Sequence, residues 1–260
     1  MLAAMPKLFA ATFLIASMAS GIQAQSAAQD NKAASTGQLS VEIAKVFIGE
    51  RYVRFLGQRQ AKLSVEKECT TVAPVMKLEQ DHPGVCTAIS DAVVAEQGKI
   101  IDENVPVLVQ GVSEAAQKHF THQEMFAVLE FYKVSELEKL REEFIPKTSN
   151  SELEKLARST LENPAFNAPK FEDKIVDIAQ AAGAPKLDQM SPKRRDAILG
   201  FFESPLGEKH LMFRKDAVGF MAANSQNIAP LIGQRIIAAA QTAVSTFLAA
   251  KAQSLKITPK

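Results

Sequence analysis

Three residues close together in the chain carry side chains able to ligate a metal ion: His119, His122 and Glu124. Two imidazoles three residues apart can share one face of a helix. Zinc would take them as two corners of a tetrahedron, and needs further ligands to close it. The same stretch reads Phe120-Thr121-His122-Gln123-Glu124. Thr followed three residues later by Glu is a capping box, in which each side chain bonds the other residue's amide. The helix then starts between the two histidines, and Glu124 is occupied with capping. A solvated helix start is the stronger reading, and no metal ligand is assigned.

The other histidines carry less. His82 precedes Pro83 and reads as exposed. His210 lies on a stripe with Phe213, Ala217, Phe220 and Met221, which reads as a hydrogen-bonded core histidine. Gly111-Val112-Ser113-Glu114-Ala115 lacks the second glycine of a hydrolase elbow and sits in helical context. No GxGxxG, P-loop or HExxH occurs. Carboxylate pairs such as Glu136/Glu138 and Glu142/Glu143 fall in charge-mixed helices, where a solvated face is the default. No catalytic residue and no cofactor is therefore expected, and a non-enzymatic protein is the leading reading.

Two basic stretches remain. Arg51, Arg54, Arg59 and Lys62 form a weak anion site at best, because acids are interleaved. Lys193-Arg194-Arg195 falls in the first turn of a helix, where the dipole disfavours positive charge. That mismatch marks it for contact with an acidic partner. The whole chain has 30 basic and 29 acidic residues, so nucleic acid and anionic membrane are not expected as main partners.

The compartment is read from the N-terminus and the cysteines. Residues 1–24 resemble a secretory signal peptide: Lys7, an eleven-residue apolar run from Leu8 to Met18, then small residues ending at Ala24. Cleavage is expected after Ala24, with Ser26 as second choice. The run is short for a membrane anchor, which needs about 20 apolar residues. Cys69 and Cys86, 17 apart, are expected to pair in an oxidising compartment, the alternative being two buried thiols. A periplasmic or secreted protein follows, with no membrane span in the mature chain.

The elements that must position these residues read as helices. Residues 25–38 are small and polar, a flexible leader before an all-helical domain over 39–260. Val41, Ala44, Ile48, Tyr52 and Phe55 share one helical face, which predicts one helix to about Glu68. A second run follows Cys86, with Pro106 kinking or restarting it. Capping boxes or proline-led starts mark Thr121, Ser151, Ser191 and Ser204. An Ala-rich helix over about 228–253 closes the chain. The fold class is all-α: an irregular bundle of about eight to ten helices.

Within it lies an apparent duplication. Shifted by 70 residues, 120–139 aligns with 190–209, matching Ala127/Ala197, Leu129/Leu199, Phe131/Phe201, Glu138/Glu208 and Lys139/Lys209. Two helix-turn-helix pseudo-repeats, about 100–160 and 170–225, are expected to pack on each other. The alternative is chance likeness between amphipathic helices.

Phe201-Phe202-Glu203-Ser204-Pro205-Leu206-Gly207-Glu208-Lys209 resembles the signature of a bacterial exported family known as domain of unknown function 2059. The likeness covers about 190–225 well and 105–160 loosely. The first copy departs from it, with Val134-Ser135 and Leu137 in place of Ser-Pro and Gly. The resemblance implies an all-helical exported protein and carries no activity. The residues have architectural reasons of their own: Ser204 to cap, Pro205 to set the entry angle, and Gly207 to admit a neighbouring helix. The function expected is a partner-binding or envelope-organising protein. A carrier of a small apolar ligand held between Phe-rich helices is the alternative.

Overall fold

The computed structural model describes residues 35–135 and 187–257. Seven α-helices and one 3-10 turn make up its regular elements, with no strand among the described residues. They are α1 (Thr36–Ile48), α2 (Glu50–Thr71), α3 (Ala73–Asp81), α4 (Val85–His119), α5 (His122–Val134), α6 (Pro192–Phe202) and α7 (Pro205–Ile257); the 3-10 turn, Leu187–Gln189, precedes α6.

α4 is the spine. α1 and α2 run antiparallel along it in succession. Ser40 meets Ser113, Arg54 pairs with Asp102, and Cys69 lies against Cys86 with their Cα atoms 6.2 Å apart. α7 runs antiparallel to α4 as well. Asp216 meets Lys118 and His119, Arg235 meets Glu96 and Glu103, and Phe247 touches Gly84. The stripe Val93, Ile101, Leu108, Val112 and Ala116 on α4 is sealed between them, each at 0 % exposure. Burying such aliphatic chains contributes about 1.5–3 kcal/mol each for the larger ones, so the α4 seam dominates cohesion. At the far end the two sulfurs are at disulfide-bonding distance. A closed loop of that size stabilises by about 3 kcal/mol. Glu79 of α3 accepts from the amides of Gly84 (2.8 Å) and Cys86 (2.7 Å), which caps α4. Those bonds hold its carboxyl below the ordinary carboxylate range.

Four sequence expectations change. The single helix expected over 39–68 is broken at Gly49, whose φ of 59° lies in the left-handed region that favours glycine. The break rotates the buried face. α1 buries Leu39, Ile43 and Phe47, while α2 buries Val53, Leu56 and Ala61 and leaves Phe55 39 % exposed. Second, residues 35–38, expected in the flexible leader, are the start of α1. Ser35 and Gln38 form a capping box, with Gln38 N to Ser35 Oγ 3.3 Å and Ser35 N to Gln38 Oε1 2.8 Å. Third, α4 does not restart at Pro106. It continues to His119, with the proline exposed, because α1, α2 and α7 hold the helix on both sides of it. Fourth, the C-terminal helix does not begin near 228. It is continuous with the helix opened by Pro205, through Pro230. Residues 1–34, with the expected signal sequence and the rest of the leader, and 136–186, with the Ser151 cap, lie outside the described residues.

Candidate functional site

The densest set of specific contacts lies where α5, α6 and the first turns of α7 meet. Each backbone turn there has a local cause. Thr121 closes its capping box, with Glu124 N to Thr121 Oγ1 3.3 Å and Thr121 N to Glu124 Oε2 2.8 Å. Helix α6 starts at Pro192 after Ser191, whose side chain makes no capping bond. Ser204 turns the chain between α6 and α7. Its hydroxyl donates to the Phe201 carbonyl at 2.6 Å and accepts from the Gly207 amide at 3.1 Å. A β-carbon on Gly207 would stand 2.6 Å from Phe202 Cα and overlap the Phe201 carbonyl oxygen. Only glycine lets the first turn of α7 fold back on the end of α6.

That turn assembles an aromatic knot. Phe201 stacks on Phe131, with centroids 3.7 Å apart and planes at 6°. Phe202 meets Phe131 edge-on at 5.6 Å. His210 lies 5.4–6.4 Å from Phe120, Phe131, Tyr132, Phe201, Phe202 and Phe213. Its Nε2 shares a 2.8 Å hydrogen bond with the Tyr132 hydroxyl, 78 residues away. The ring is 5 % exposed, and its Nδ1 has no hydrogen-bond partner. Burial, with a smaller contribution from the Arg214 charge, pushes its pKa down to about 4. The imidazole is therefore neutral near pH 7. Beside the knot, Lys209 Nζ donates to Glu124 Oε1 at 2.6 Å, tying the first turn of α7 to the first turn of α5. The Lys209 bond, then the Thr121 amide, hold Glu124 below the ordinary carboxylate range.

This geometry joins helices. The rings fill the space between the helices by touching one another. The three residues with ligand chemistry are drawn apart. His119 Nε2 bonds Asp216 Oδ2 at 2.9 Å, His122 Nδ1 bonds Thr36 Oγ1 at 3.2 Å, and Glu124 serves Thr121 and Lys209. Among the described residues no three His, Cys, Asp or Glu side chains converge on a common point. Asp216 also takes a 2.6 Å bond from Lys118, and these two donors lower its pKa, Lys118 first. Ser113 is in mid-helix, its hydroxyl 2.8 Å from that of Ser40. Of the basic stretch on α2, Arg54 pairs with Asp102 and Glu50, Lys62 with Glu66, and the Arg59 guanidinium lies over the Phe55 ring.

Outside the knot the same elements expose apolar side chains. Ten large hydrophobic side chains are exposed among the described residues. Six of them belong to α5, α6 and the start of α7: Phe126, Val134, Leu199, Phe202, Leu211 and Met212. Leu199 and Phe202 share one face of α6 with Arg195, at i, i+4, i+7, and Lys193 is exposed at the same helix start. Three long-range pairings here, Tyr132–His210, Lys209–Glu124 and Lys118–Asp216, left no signal in the sequence, since each joins residues more than 77 positions apart. Compared with family models, with curated proteins and with solved structures, the chain matches none of them.

Proposed function

We propose that this is an exported, non-enzymatic helical protein that docks a protein partner through the face built by α5, α6 and the first turns of α7. The observation that carries the reading is α6 itself. It is a two-sided helix whose inner side enters the knot through Phe201, while its outer side combines a basic first turn with exposed Leu199 and Phe202. Positive charge at a helix N-terminus works against the dipole, and Lys193 stands there exposed while Arg195 has the neighbouring Asp196 at 3.6 Å. An acidic segment with an apolar anchor fits both halves of the outer face. Apolar side chains concentrated on one face in this way are typical of protein contact sites.

One further feature agrees with export, a cysteine pair at disulfide-bonding distance. No helix among the described residues is long and apolar enough to cross a membrane. The carrier reading has less support, because the phenyl rings pack on each other.

The test is partner capture from cells by the whole protein and by a Lys193→Glu, Arg195→Glu, Leu199→Glu variant. The expected result is a specific partner whose recovery falls at least tenfold with the variant, while its circular dichroism and melting temperature stay those of the parent. Equal recovery by both would remove this face from the account.

A further inference from the structure

The knot holds one group whose burial depends on its charge. His210 sits among rings from every neighbouring element. Phe120 comes from the turn after α4, Phe131 and Tyr132 from α5, Phe201 and Phe202 from α6, and Phe213 from its own helix. The titratable or charged groups facing it are the Tyr132 hydroxyl from α5 and Arg214 on α7; the Glu124–Lys209 pair sits one residue earlier on α7 and neutralises itself. From the turn after α4 and from α6, the described ring contacts to it are those of Phe120, Phe201 and Phe202. No described carboxylate bonds either ring nitrogen, and Nδ1 is unpartnered. In an imidazolium Nε2–H would donate to the Tyr132 oxygen, while Nδ1–H and the full charge would find no acceptor among the described residues. Burying an unpaired charge is costly, so protonation in the closed site is disfavoured.

We propose that His210 is an acid-released latch on the docking face: its protonation frees α6 and the first turns of α7 from α5. This rests on the reading of that face as a partner site, and it names how the site is regulated. Closed, Phe201 and Phe131 are spent on each other and Phe202 is only part exposed. Open, the Phe131 ring on α5 and the Phe201 ring on α6 are both uncovered, adding apolar area beside the already exposed Leu199 and Phe202. Opening is local because the Cys69–Cys86 clamp and the aliphatic seam of α4 contain no group of this kind.

The experiment is hydrogen exchange of the isolated oxidised protein at pH 7.0 and pH 4.5, corrected for the intrinsic exchange rate at each pH. Closed and open histidine values of about 4 and 6.5 give a rise of roughly 50-fold in the opening equilibrium. That rise is expected in peptides from 122–135 and 192–213, with little change in 85–105. His210→Gln, which keeps a polar contact for Tyr132 and does not titrate, is expected to abolish the rise. A variant that exchanges like the parent at both pH values would overturn the proposal. Should His210→Gln not fold, the histidine Cε1 proton signals of the parent decide the matter. The His210 signal is expected to titrate well below 6.5, and a His210 value near 6.5 would overturn it. No partner is present in either measurement, so the latch can fail while docking stands. Docking can equally fail in the capture test while the latch stands.

Discussion

Phe131 and Phe201 lie face to face, 3.7 Å between centroids and 6° between planes, and they are separated by 70 residues in the chain. Seventy is also the shift that aligns 120–139 with 190–209, so the stacked rings occupy equivalent positions of the two similar segments. Each ring closes a short helix that ends in a serine bonded back three residues. Ser135 Oγ donates to the Tyr132 carbonyl at 3.1 Å, and Ser204 Oγ to that of Phe201 at 2.6 Å. The two serines are 69 residues apart, so the rings follow the 70-residue shift and the serine caps do not.

The pair predicts a coupling energy. Phe131 is 8 % exposed, so Phe131→Ala is expected to cost about 3–5 kcal/mol, and Phe201→Ala less, because that ring is only half buried. In a double-mutant cycle measured by urea unfolding, the two changes should fall short of additivity by about 0.5–1.5 kcal/mol. Strict additivity would mean that the stack contributes nothing beyond each ring's own burial.

The turn between α6 and α7 predicts a graded pair of variants. Ser204→Ala removes one cap and is expected to cost about 1 kcal/mol. Gly207→Ala places a methyl against the backbone of Phe201 and Phe202, which cannot yield as a side-chain tip would. Its cost is expected at the upper end of about 1–3 kcal/mol for overpacking, even though alanine is the better helix former. If Gly207→Ala were neutral in thermal unfolding, the close approach would not be required.

His210 predicts how global stability follows pH. Its folded value is lowered to about 4 from an ordinary 6.5, so below 6.5 the unfolded chain binds the proton more readily. The stabilisation is complete above pH 6.5 and is lost as pH falls towards 4. The total is about 3 kcal/mol for a shift of this size. The paired carboxylates Glu79, Glu124 and Asp216, whose values are lowered, give stability that is lost only as pH falls through their ordinary values of 4.5, 4.5 and 3.8 and below. Between pH 6.5 and 5, the fall in urea-derived stability should therefore be absent in His210→Gln.

A second buried polar residue predicts the opposite sign. Gln97 on α4 is 0 % exposed, and neither its amide nitrogen nor its oxygen has a hydrogen-bond partner. It packs under Gly57 of α2, within 3.4 Å of where a β-carbon there would stand. Gln97→Met keeps the volume and removes the unmet amide, so a gain of about 1 kcal/mol is expected. A loss of that size would show that the amide is bonded in solution.

The all-α class was legible because apolar spacing and caps are local signals. The capping box at Thr121 and the serine-proline start at 204 are written within four residues of sequence. Where local signals compete, reading fails. Gly49 interrupts a stripe that continues in register past it, and Pro106 and Pro230 are carried within helices held by their neighbours. The start of α1 at Ser35 lies in a stretch whose small polar composition reads as a leader. The knot itself was not legible. His210 could be read as a core histidine from its stripe, but Tyr132 as its partner depends on how α5 and α7 meet, which no local spacing encodes.

The most direct test of partner docking is site-specific photocrosslinking in intact cells, with a photoreactive residue placed singly at Leu199, at Leu211, or at Val107 on α4. All three positions are exposed, so none disturbs the core. The account predicts one discrete protein adduct from Leu199 and Leu211 and none from Val107. No adduct at either of the first two positions, or the same adduct from Val107, would contradict it.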